Sequence, residues 1–177
     1  MMFARFTEGA RAAVVVGGIH ALDAGLPALD TGPLLLGLAE VRPFRLEHFT
    51  AAPADVRRHA ALPDPRALLA TLGIDLDEVH RRTRAGAADP RRWSLRRSRL
   101  RPLRVTLYGP LGELPLTMHA RKVVEVAVSR PGPVTGERLL WGLLADAANG
   151  AGRILRASGV NVSAVVHEAA IPTRHAA

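Results

Sequence analysis

Three short blocks recur in this 177-residue chain, in one order, and that recurrence limits the fold more than any other feature. "FTEGARAAVVV" (6–16) returns as "LTMHARKVVEV" (116–126), and "LLLGL" (34–38) returns as "LLWGL" (139–143). "LGIDLDEVHR" (72–81) returns as "SGVNVSAVVHE" (158–168). The spacing between copies shrinks from 110 residues (Thr7 to Thr117) to 105 (Gly37 to Gly142) and 86 (Gly73 to Gly159). A longer first connection in copy one, and an insertion of about 20 residues between its second and third blocks, account for the shrinkage. A pattern of this kind marks a duplicated supersecondary unit whose length varies in its loops.

Each copy reads as four short helices. In the first, Thr7 is placed to cap a free backbone N–H of the opening turn. Ala10, Val14, Gly17 and Ala21 then fall on one face at helical spacing, and Gly25 ends the run. A second helix is expected from Thr31, with Pro33 in its first turn, where a missing N–H costs nothing. A third spans about Pro65 to Leu72 and stops at Gly73; a fourth follows from Asp75 with Leu76 and Val79 inward. In the second copy the same roles fall to Thr117–Arg130, Gly136–Ala147, Gly150–Ala157 and Ser163–Ala169. The expected fold class is therefore all-α. Two pseudo-symmetric four-helix repeats form one domain, 1–84 with an insertion at about 41–63 and 114–170, followed by a tail at 171–177. Residues 85–113 form a basic connection, in which "RVTLYGPLGELPL" suits a short β-hairpin or an extended strap.

Composition supports a packed, aliphatic interior. Apolar residues make up 48% of the chain, enough for a core, and only 4% are aromatic. The absence of cysteine excludes disulfide scaffolds, thiol catalysis and cysteine-ligated zinc. The run "AAVVVGGI" follows Arg5 and Arg11, but it is short and Glu8 lies before it, so it is a poor secretory leader and a cytoplasmic protein is expected. No apolar run reaches the length of a membrane span.

Catalytic and metal motifs are missing or out of context. "LDTG" (29–32) spells an aspartic-protease signature, yet such a site needs a second aspartate on a β-loop. Here Pro33 and a helical "LLLGLA" follow, so the segment is a helix start. The seven histidines fall in no H-E-x-x-H pattern, no serine sits in G-x-S-x-G, and no phosphate-binding G-x-x-x-x-G-K-[ST] is present. The expectation is a non-enzymatic protein with no metal and no cofactor.

Charge is concentrated. The chain carries a net +8, and Arg81 to Arg104 alone holds ten arginines against Asp89. Within it, Arg91, Arg92, Arg96, Arg97, Arg99, Arg101 and Arg104 surround Trp93. Guanidinium forks suit phosphates and an indole suits a base, so this run is the candidate contact for nucleic acid or another polyanion. A docking strap for an acidic protein and a plain solvated linker are the alternatives.

The three paired blocks resemble the N-terminal double Clp repeat domain of ClpC- and ClpA-type AAA+ unfoldases. The start "MFARFTEGAR" (2–11) is similar to that of ClpC proteins. "DTGPLLLGL" (30–38) and "TGERLLWGL" (135–143) resemble the family's G-T-E-H-[IL]-L-L-G-L, and "LGIDLDEV" (72–79) its L-G-I-x-L-x-x-V. The resemblance implies a docking platform for peptides, adaptors and substrates of Clp-dependent proteolysis, for phosphorylated arginine, and for cyclic peptide antibiotics. It implies partners among Clp unfoldase and protease components, and no membrane. Residue by residue, it places a phosphoarginine-type pocket at Thr117 and Glu137. In copy one Thr7 is kept, but Gly32 and Pro33 stand where the family has Glu and His. It also implies a groove between the repeats at Phe3, Thr7, Leu116 and Arg121.

Overall fold

Thr7 and Thr117 open equivalent helices by the same bond. Each sits in extended backbone as an N-cap, and its hydroxyl accepts the amide three residues on, Ala10 at 3.3 Å and Ala120 at 3.2 Å. The computed structural model describes residues 2–63, 86–98 and 104–170. Its α-helices are α1 (Glu8–Asp23), α2 (Thr31–Val41), α3 (Pro53–His59), α4 (Met118–Val128), α5 (Gly136–Leu144), α6 (Ala151–Ala157) and α7 (Val162–Glu168). The third and fourth helices expected in the first repeat, with Leu76 and Val79, lie outside the described residues, as do Arg99, Arg101 and the tail.

Two glycines set how each helix pair packs. In repeat one, a Cβ on Gly37 would penetrate the Ala13 carbonyl and stand 2.7 Å from the Gly17 nitrogen. In repeat two, a Cβ on Gly142 would lie 2.5 Å from the Val123 carbonyl oxygen. Ala13 and Val123 are 110 residues apart and Gly37 and Gly142 are 105 apart, the offsets of the repeated blocks. The same backbone approach is thus built twice. Gly17 also meets Pro33 and Leu34, so α1 and α2 run antiparallel.

The repeats are joined through the starts of their helices. Thr7 donates its amide to Val134 O at 2.9 Å, and Val134 donates to Arg5 O at 2.6 Å, which pairs the start of α1 with that of α5. Leu29 donates to Pro115 O at 2.8 Å and Thr117 to Leu29 O at 3.0 Å, which pairs the start of α2 with that of α4. Phe6 corresponds to Leu116 and Leu29 to Val134, so each contact is the other with the repeats exchanged. Leucines of both α2 and α5, among them Leu34, Leu38, Leu139 and Leu143, enter one continuous core.

The all-α expectation is corrected by a three-stranded antiparallel sheet, which makes the fold mixed α/β. It consists of β1 (Ser94–Arg97), β2 (Val105–Gly109) and β3 (Gly112–Pro115), in the order β1-β2-β3. The hairpin of β2 and β3 turns at Pro110-Leu111, with Gly112 at φ +124°, a conformation that favours glycine. β1 arises from the basic run itself. Leu95, Leu107 and Leu114 lie side by side on the inner face, all but inaccessible to solvent, and join the main core. Trp93 also turns inward, 3% exposed, and its indole N–H donates to Ala87 O at 2.6 Å. Its ring lies where a side chain on Gly109 would stand. Burial of this apolar row outweighs the arginine density, because Arg96 projects outward and Arg97 finds an acid at the edge.

The insertion is ordered too. It leaves α2 through Arg42 (φ 48°), packs Phe44 edge-to-face on Phe49 at 4.9 Å, and forms α3. Glu168 on α7 holds it by accepting the amides of Glu47 (2.6 Å) and His48 (3.0 Å) and facing His48 Nδ1 at 3.0 Å.

Candidate functional site

The antiparallel helices decide which site residues meet. In repeat two, His119 and Lys122 near the start of α4 face Asp146, beyond the end of α5. Arg138, at the start of α5, donates to the carbonyls of Arg130 and Pro131, just past the end of α4. Thr117 and Glu137 therefore sit at opposite ends of a helical hairpin about 16 Å long for its 11-residue α4. They do not form one pocket. Thr117 meets Asp30 at the start of α2, and Glu137 lies in the first turn of α5, whose start is joined to that of α1 by backbone bonds.

At the α2–α4 end the polar groups satisfy one another. The Thr117 hydroxyl donates to Asp30 Oδ1 at 2.7 Å while accepting from Ala120 N. Asp30 is the N-cap of α2, and its carboxylate lies between two helix starts, where their dipoles favour negative charge. Thr31, only 3% exposed, donates its hydroxyl to Asn149 O at 3.2 Å. The aspartate of "LDTG" is thus a structural anion.

At the α1–α5 end the balance differs. Thr135 occupies the place of Asp30, 105 residues on; neither makes a side-chain cap bond, and Thr135 carries no carboxylate. Thr7 caps α1, and Glu8 and Glu137 lie in the first turns of the two helices. Pro43 packs against Gly9 and Gly136, where a Cβ would approach it to 3.0 and 2.5 Å, and so closes the inner side of this end. Arg5 and Arg138 clamp the adjoining loop through the carbonyls of Val128, Arg130, Pro131 and Gly132. The Arg130 guanidinium lies over Trp141, 4.3 Å from the ring centroid. Two helix N-termini and two carboxylates, Glu8 exposed and Glu137 half-buried, thus share one end.

The groove between the repeats is roofed. Phe3 is 2% exposed, stacked edge-on against Phe6 at 5.1 Å with the Arg11 guanidinium 5.5 Å from its ring centroid. The 3-10 turn of Met2–Arg5 packs against β1. Leu116 is partly buried against the core, and Arg121, whose side chain is 17% exposed, faces Glu125 at 3.7 Å. Arg97 on β1 donates to the same Glu125 at 2.6 Å, fastening the sheet to α4. Phe3, Thr7, Leu116 and Arg121 therefore do not line one open groove.

The basic run divides by face. Trp93 is inside and cannot stack a base; Arg97 is committed to Glu125. Arg92 donates to Gly86 O at 3.0 Å, and Arg91 lies 4.0 Å from Glu8. Arg96 and Arg104 are exposed. Sequence reasoning passed over Tyr108, which stands 38% exposed beside Arg96.

Three polar clusters link distant positions. A cavity of about 640 Å³ between α1, α2 and α3 is bordered by Leu36, Arg58 and an Arg57–His20–Glu40 chain. His20 Nδ1 accepts from Arg57 at 3.0 Å, and Nε2 meets Glu40 at 2.6 Å. Elsewhere, the Lys122 ammonium and then the Ala148 amide hold the Asp146 carboxyl below its ordinary pKa; the His48 and Glu47 amides do the same for Glu168. Apart from Ala148, two residues from Asp146, these partners are 20 to 121 residues apart, so no local motif announces them. Among the described residues no group of His, Cys, Asp or Glu has the arrangement of a metal site, and no helix is long and apolar enough to cross a membrane. No protein-family model matches the chain, and no match is found among curated proteins or solved structures.

Proposed function

We propose that this chain is a non-enzymatic docking module of the double Clp repeat type, elaborated by a sheet, that works in the cytoplasm in Clp-dependent proteolysis. The observation that carries the reading is the exchange of backbone hydrogen bonds between helix starts, made twice at the offsets of the sequence repeat. Local helix propensity does not require that exchange; a duplicated scaffold does.

On this reading the docking end is the one shared by α1 and α5. Its helix N-termini favour an anionic group, and Glu137 favours a guanidinium beside it. The ligand class is a peptide carrying both, such as a phosphoarginine degron, presented by a Clp substrate or adaptor. The α2–α4 end is supplied internally by Asp30, and the roofing of Phe3 argues against a cyclic peptide in the groove.

The test has two arms. The purified chain is used to capture Clp unfoldase and protease components, and a phosphoarginine peptide is titrated against wild type and Glu137→Ala. Recovery of a Clp component and weaker peptide binding by the variant are expected. Failure to recover any Clp component, together with equal or absent affinity for the peptide, would overturn the reading.

A further inference from the structure

Tyr108 is the unexplained aromatic of this fold. Among the described residues the large apolar side chains left exposed are Tyr108, at 38%, and Met118. Every second residue of the sheet faces outward. The pairing sets Ser94, Tyr108 and Glu113 in one row and Arg96, Thr106 and Pro115 in the next. Arg96 lies diagonally across from Tyr108, with its guanidinium 5.6 Å from the ring centroid. A planar cation and an exposed ring thus stand together on the outer face of the sheet, beside Thr106, which is itself buried.

We propose that this face binds single-stranded nucleic acid, with one base stacked on Tyr108 and the backbone phosphates held by Arg96, Arg104 and Arg91. The three arginines are exposed, and the acids nearby are Glu113, opposite Tyr108, Glu8, 4.0 Å from Arg91, Asp89, which accepts the Arg91 amide at 2.9 Å, and Glu125, which Arg97 already engages. Positive charge therefore prevails along β1 and its approach. Stacking on an aromatic needs a base free of its own helix, so the site selects single strands over duplex. An acidic protein segment would engage the arginines but leave the ring without a role. Tyr108 and Arg96 stand on the sheet, while Arg91 reaches Glu8 in the first turn of α1, so it is the stacking on Tyr108 that is tested independently of the docking reading.

The experiment is fluorescence anisotropy with a labelled oligopyrimidine of about 12 nucleotides, as DNA and as RNA, on the full chain. The same sequence as a duplex and a polyglutamate peptide are run as competitors. Tyr108→Ala is expected to weaken single-strand binding by at least about 5-fold, while Tyr108→Phe, which keeps the ring, stays near wild type. Arg96→Ala weakens it as well. Three phosphate contacts give a slope of about −2 for log affinity against log salt. Thermal melts monitored by circular dichroism establish that each variant is folded, and Tyr108→Phe separates loss of the ring from loss of the hydroxyl. Absence of binding at low salt would overturn the proposal. So would equal affinity of folded Tyr108→Ala and wild type, duplex binding as tight as single-strand binding, or polyglutamate competing at the same charge concentration.

Discussion

Replacing Gly37 by alanine asks the most direct question of the repeated scaffold. A methyl group there meets backbone, the Ala13 carbonyl and the Gly17 nitrogen, and backbone cannot rotate away as a side chain can. The helices must separate, and such overpacking costs about 1–3 kcal/mol. A clash this deep, against main chain, belongs at the upper end. Helix propensity returns about 1 kcal/mol, since alanine is favoured over glycine in a helix interior. The net expectation is a loss of about 2 kcal/mol, or a fall of about 4–8 °C in melting temperature for a domain of this size. Gly142→Ala meets the Val123 carbonyl oxygen at 2.5 Å and its Cα at 2.9 Å, so its loss has the same sign and is somewhat smaller. Gly152→Ala is the control: its nearest neighbours lie at 3.8 Å or more, and the substitution is neutral or slightly stabilising. Urea denaturation followed by circular dichroism measures all three against wild type. A midpoint for Gly37→Ala at or above wild type would refute close backbone contact between α1 and α2. If Gly37→Ala were costly and Gly142→Ala were not, the equivalence of the repeats would fail instead.

Two other outcomes are expected. Glu168, whose pKa is lowered in the folded state by the His48 and Glu47 amides, contributes stability that is present above the ordinary carboxyl pKa and is lost as pH falls through the folded value. Melting temperature measured across the acidic range therefore falls less steeply for Glu168→Gln than for wild type, and parallel curves would count against the clasp. Trp93→Ala empties a buried site and removes the bond to Ala87 O, at a cost of about 3–5 kcal/mol by denaturant titration. A loss under about 0.5 kcal/mol, the range of ordinary surface substitutions, would place the indole outside the core.

The helices at Thr7, Thr31, Thr117 and Asn161 were legible because their signals are local. A capping side chain at Thr7, Thr117 and Asn161, Pro33 in the first turn after Thr31, and an apolar stripe within the next turns are all read over short spacings. The sheet was half legible. The β2–β3 hairpin carries its own turn, but β1 was hidden by arginines that make Arg91–Arg104 read as a solvated strap. What counts there is the alternation of Trp93 and Leu95, a signal two residues long, which acquires meaning only when Leu107 and Leu114 lie beside it. The site residues divide the same way. Glu137 was legible as an acid in a first turn, but its separation from Thr117 follows from helix direction, and the partnership of Thr117 with Asp30 spans 87 residues.

The amino-acid sequence by itself determined the duplication, the helices whose caps it carries and the concentration of positive charge, because each depends on residue type at short spacing. Tertiary structure alone decided that the repeats join by exchanging bonds at their helix starts, that the connection folds into a sheet over Phe3, and that Tyr108 rather than Trp93 faces solvent. Those outcomes turn on which apolar surfaces find each other across the chain. Burial of Leu95 beside Leu107 on the core settles the matter against the local preference of the arginines for water.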